Sequence, residues 1–103
     1  MKKQQKGDKV RLDIGGHKYT IIENDKLEHD GKMLLGMHDA RNCEIRLDKN
    51  LIHSRKMETL IHEIVHVVLT NAGHEHNEDW IDGVANGLHQ IGVGEYIWKQ
   101  LKK

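Results

Sequence analysis

The sequence predicts an α+β fold: a small antiparallel sheet, then a long helix bearing a metal-binding motif, then a second helix packed on the first. Three observations lead there. Apolar and polar residues alternate with period two as far as Leu47, they recur at helical spacing after Asn50, and every strand signal precedes every helix signal. The 103 residues suffice for one domain, 1–103, with one core.

Residues 1–7 are polar and charged, a start expected to fray. Val10, Leu12 and Ile14 then point to one side of a strand, Gly15-Gly16 supplies a turn, and Tyr19 and Ile21 continue the alternation, which predicts a hairpin. Residues 24–31 are irregular, with a turn at Asp30-Gly31. Residues 32–37 read as a buried strand, 38–42 as a turn, and Cys43, Ile45 and Leu47 as a further strand pairing antiparallel with it. In the first helix Met57, Leu60, Ile61, Ile64, Val65, Val68 and Leu69 recur between an N-cap at Ser54 and a stop at Gly73. Residues 64–69 are apolar nearly all round, which predicts a central, buried helix. Asn77 caps a second helix with the stripe Ile81, Val84, Ala85, Leu88 and Ile91, in which Gly83 and Gly87 are expected to let the helices approach closely. Residues 95–101 form a short amphipathic tail around Tyr96, Ile97 and Leu101.

Composition narrows the function classes. Sixteen basic residues balance sixteen acidic ones, so no net field draws the chain to nucleic acid or to an anionic membrane. The lone cysteine, Cys43, forms no internal disulfide and no cysteine-based zinc site. With no signal-peptide pattern and no long apolar stretch, the expected location is cytoplasmic. Nine histidines are the unusual count.

Two of them belong to His62-Glu63-Ile64-Val65-His66, an H-E-x-x-H motif inside the first helix. Residues four apart lie one above the other on a helix, so both imidazoles reach one ion about 2.0–2.1 Å from each nitrogen. Glu63 is rotated about 100° from His62 and is free to act as a base toward water at the ion's open side. Burial amid Ile61, Ile64 and Val67 demands partners for these polar groups, and a metal supplies one. A hydrolytic zinc needs a third protein ligand. A histidine six residues after His66 is excluded, because Ala72 stands there. The remaining candidates are His74, His76, Glu75, Glu78 and Asp82. Glu78 and Asp82 share a face at the start of the second helix, so Glu78 can ligate while Asp82 accepts the other N–H of a zinc-bound imidazole.

H-E-x-x-H followed by Glu-x-x-x-Asp on a later helix resembles the gluzincin metallopeptidases. The stretch from Ile45 to Leu88 is similar to small phage and prophage proteins of the minimal-zincin kind and, more loosely, to the ImmA/IrrE-type metallopeptidases. The resemblance implies a zincin-like domain: a small curved sheet behind the motif helix, one Zn2+ held by His62, His66 and Glu78, and Glu63 as catalytic base on a peptide or protein substrate in a bacterial or phage-infected cell. It implies further that substrate adds as a strand to a sheet edge, for which the strand at 43–48 is the candidate. Two departures stand out. Only eleven residues separate His66 from Glu78, and matching Asp82-Gly83-Val84-Ala85-Asn86 to the ImmA-like Glu-x-x-Ala-Asn pattern makes Asp82 the ligand instead. Two rival functions differ in class: a non-catalytic zincin-like scaffold that binds a protein partner, and a metal-dependent hydrolase of another substrate such as RNA, against which the balanced charge argues. His74 and His76 flank the expected cleft, His89 reads as a packing residue, Trp80 and Trp98 as core or rim, and His17, His29, His38 and His53 carry no pattern.

Overall fold

The computed structural model describes residues 9–102, the Lys9 side chain excepted; the start expected to fray at 1–7 lies outside the described residues. Strands β1 (Lys9–Ile14) and β2 (His17–Asn24) form the expected hairpin, with Leu12 opposite Tyr19. Its turn uses Gly15 and Gly16 at φ 60° and 84°, a conformation closed to most side chains. A small excursion follows, in which β3 (Glu28–His29) and β4 (Lys32–Met33) pair across Asp30-Gly31. The Leu34 N–H donates to the Leu27 carbonyl at 2.8 Å and closes it, with Leu27 buried at its base. β5 (Gly36–Asp39) and β6 (Glu44–Asp48) then pair antiparallel.

Four expectations are corrected here. Residues 32–37 are not one buried strand: β4 is exposed, and the strand that joins the main sheet starts only at Gly36. His38 lies within β5 rather than in a turn. The sheet is mixed rather than antiparallel, because β6 runs parallel to β2 in the order β1-β2-β6-β5. Alternation reports the face a residue takes, not the direction of its strand: the chain reaches the far edge as β5, turns back, and fits β6 into the gap beside β2. The strand at 43–48 is therefore interior, and the sheet edge is β5.

Helices α1 (His53–Ala72) and α3 (Val93–Leu101) pack on this sheet, and α2 (Glu78–Gln90) packs on those two helices. The first turn of α1 starts one residue before the expected cap, with Ile52 at the N-cap and Ser54 already helical. Its stop is the expected one: Gly73, at φ 76°, turns its N–H back onto Leu69 and Thr70 carbonyls. Leu60 and Val67 of α1 meet Tyr19, Ile21, Ile45 and Leu47 of the sheet in the core. The helix is central, touching α2, α3 and three strands, yet Val68 is 48% exposed, so burial is not complete around it. Gly83 and Gly87 face open space; the glycine of close approach is Gly94 in α3, where a Cβ would sit 2.8 Å from the Met57 carbonyl oxygen. No helix among the described residues is long and apolar enough to cross a membrane.

Candidate metal centre

Two elements bring three donors to one point. On α1, the i, i+4 spacing sets His62 Nε2 and His66 Nε2 3.2 Å apart. On α2, the Asn77 side chain accepts the Trp80 N–H at 2.9 Å, the expected cap, and so starts the helix with Glu78 at its first position. Glu78 then lies with one carboxylate oxygen 3.5 Å from His62 Nε2 and the other 3.1 Å from His66 Nε2. Donors bonded at 2.0–2.1 Å to a tetrahedral zinc are about 3.3–3.4 Å from one another. The two imidazole nitrogens lie close to that separation and each has a different Glu78 oxygen at a similar reach, so the donor types and their spacing suit such an ion. His62, His66 and Glu78 form a possible metal-binding group.

Each imidazole is braced at its other nitrogen. Asp82 Oδ1 lies 3.1 Å from His62 Nδ1. His76 Nδ1 lies 2.6 Å from His66 Nδ1, and its Nε2 lies 3.1 Å from Thr70 Oγ1. An ion on Nε2 of His66 would leave that ring's hydrogen on Nδ1, where His76 Nδ1 is the partner, with Thr70 Oγ1 beside the far nitrogen of His76. His74 is exposed and its ring joins none of these contacts; its backbone N–H caps Leu69 at the end of α1. Burial holds the His66 imidazole below its ordinary pKa against the opposing pull of Glu78 and Glu63, which favours the neutral ring a metal ligand must be.

Glu63 is buried, its side chain 9% exposed, and its carboxylate accepts a 2.7 Å hydrogen bond from His38 Nδ1. That bond raises the His38 pKa, with burial opposing it. The His38 ring also stacks on His66, centroids 4.9 Å apart and 15° from parallel. Sequence reasoning misses His38, because the strand read at 32–37 stops one residue short of it and assigns it to a turn. The available signal is Gly36-x-His38, a spacing that puts both residues on one face if the segment is extended. A cleft of about 420 Å³ opens beside Glu63, between Leu35 and the first residue of β5, Gly36, Arg55 and Thr59 of α1, and Asp82 of α2.

Compared with models of known protein families, with curated proteins and with solved structures, the chain matches none. The side-chain geometry therefore carries the functional argument.

Proposed function

We propose that this protein is a zinc-dependent peptidase, with His62, His66 and Glu78 holding the ion and Glu63 acting as base. The observation that carries this reading is that His62, His66 and Glu78 bring one ligand atom each within 4.8 Å of one another, with the two Nε2 atoms 3.2 Å apart. Three protein donors, rather than four, is the count of a hydrolytic zinc site. Bound there, zinc acts as a Lewis acid toward a carbonyl oxygen and lowers the pKa of water toward about 7. Glu63 Oε takes a proton from the attacking water and returns it to the departing amine nitrogen as the C–N bond breaks. Asp82 and His76 keep the two imidazoles in register for the ion.

Substrate backbone adds to β5, whose outer edge has no partner strand among the described residues. Leu35, Gly36 and Thr59 line the cleft that receives the side chain next to the scissile bond. The single cysteine and balanced charge favour a cytoplasmic substrate that is protein rather than nucleic acid.

The decisive experiment is Glu63→Gln. The variant should bind zinc and melt like the parent, and lose peptide hydrolysis by at least about a hundredfold, the scale of a lost general base. A second reading, a non-catalytic scaffold that binds a protein partner, is favoured by the low exposure of Glu63 and its engagement with His38. Under it the parent cuts no peptide and Glu63→Gln leaves zinc content and partner binding unchanged.

A further inference from the structure

Strand β5 meets the motif helix through two residues of one face. At Gly36 a Cβ would lie 2.6 Å from Thr59 Cγ2 and 3.3 Å from Glu63 Cγ, so only a bare backbone lets the strand come this close to Glu63. Two residues on, His38 reaches the Glu63 carboxylate at 2.7 Å. The strand itself is pinned by β6, with His38 opposite Ile45, and the ring is clamped against His66. A carboxylate so little exposed to water needs a donor, and the structure supplies His38 Nδ1–H.

We propose that His38 is a positioning residue that holds one oxygen of Glu63 and leaves the other oriented for the attacking water. This rests on the metallopeptidase reading above. The bond restrains the orientation of a carboxylate whose side chain otherwise has several rotamers, and β5 thereby sets the base as well as offering the edge for substrate. The role is separable from metal binding, since His38 is not among the three donors.

Two substitutions divide the donor from the ring. His38→Phe keeps a ring against His66 and removes the N–H; His38→Asn removes the ring and keeps an N–H on the atom that replaces Nδ1. Circular dichroism and thermal melting first establish that both fold. Each is then loaded with Co2+ and titrated with acetohydroxamate, a chelator that hydrogen-bonds a carboxylate beside its metal, and the visible cobalt spectrum is followed. His38→Phe should take up cobalt like the parent but bind acetohydroxamate roughly 10–100-fold more weakly, the scale of a lost outer-sphere partner. His38→Asn should stay within about threefold of the parent. In peptide cleavage the Phe variant should lose kcat by a similar factor at unchanged KM, and Asn should restore most of it. Equal acetohydroxamate affinity in the parent and His38→Phe, or an Asn variant as weak as Phe, overturns the proposal while leaving the metal site standing. A parent that binds no cobalt ends both. A parent that binds cobalt but cuts no peptide removes the peptidase reading, and the acetohydroxamate series then decides the placement of Glu63 alone.

Discussion

His62 and His66 present Nε2 to the same point because each has its Nδ1 occupied, one by a carboxylate and the other by a second imidazole. That asymmetry makes the roles of Glu78 and Asp82 distinguishable in solution. Asp82 faces only the far nitrogen of His62, whereas Glu78 lies within 3.5 Å of both Nε2 atoms. Glu78→Ala should therefore reduce zinc affinity far more than Asp82→Ala, whose loss should be roughly 10–100-fold, as for other groups that orient a metal-bound histidine. Competition against a chromophoric chelator measures both. The opposite order would transfer the ligand role to Asp82.

Among the elements, β5 and α2 do the positioning, each through a local feature of few residues. The Asn77 cap decides where α2 begins and hence where Glu78 stands relative to α1. The four residues of β5 carry both the close approach at Gly36 and the donor at His38. Glycines on the other helices separate into two kinds. Gly83 lies in the interior of α2 with open space where a Cβ would be, so Gly83→Ala should raise stability by roughly 0.5–1 kcal/mol through helix propensity alone. Gly94 is buried against Met57, with a Cβ position 2.8 Å from a backbone oxygen that cannot rotate away. Gly94→Ala should lower stability by about 1–3 kcal/mol, as overpacking does. Urea denaturation of the two variants beside the parent checks both signs.

At the scale of the whole molecule, the sheet is a backing plate for α1, and the core between them governs how the chain responds to conditions. Tyr19 sits in that core at 1% exposure. Burial, with the neighbouring Cys43 thiol adding to it, pushes its phenol above the ordinary pKa of about 10. Unfolded chains release the phenol proton once the pH passes about 10, whereas folded chains keep it until the higher folded pKa is reached. The folded state then binds more protons than the unfolded one, so stability is undiminished by this group below pH 10 and falls as the pH rises above it. Urea midpoints taken across pH 8 to about 11 should show that decline, and Tyr19→Phe should flatten it. A slope unchanged by the substitution would place the alkaline sensitivity elsewhere.

The switch of period near Asn50, the Asn77 and Gly73 helix boundaries, and the face shared by His62 and His66 are legible in the sequence, because each depends on residues within a turn or two of one another. The split of residues 32–39, the parallel pairing of β2 with β6 and the meeting of His38 with Glu63 are not. That last contact joins positions 25 residues apart, and it exists only because β5 takes the sheet edge over α1. Periodicity tells which side of an element a residue occupies. Which element lies against that side is settled by how the chain packs its apolar faces, and here packing alone chose the neighbours of Glu63.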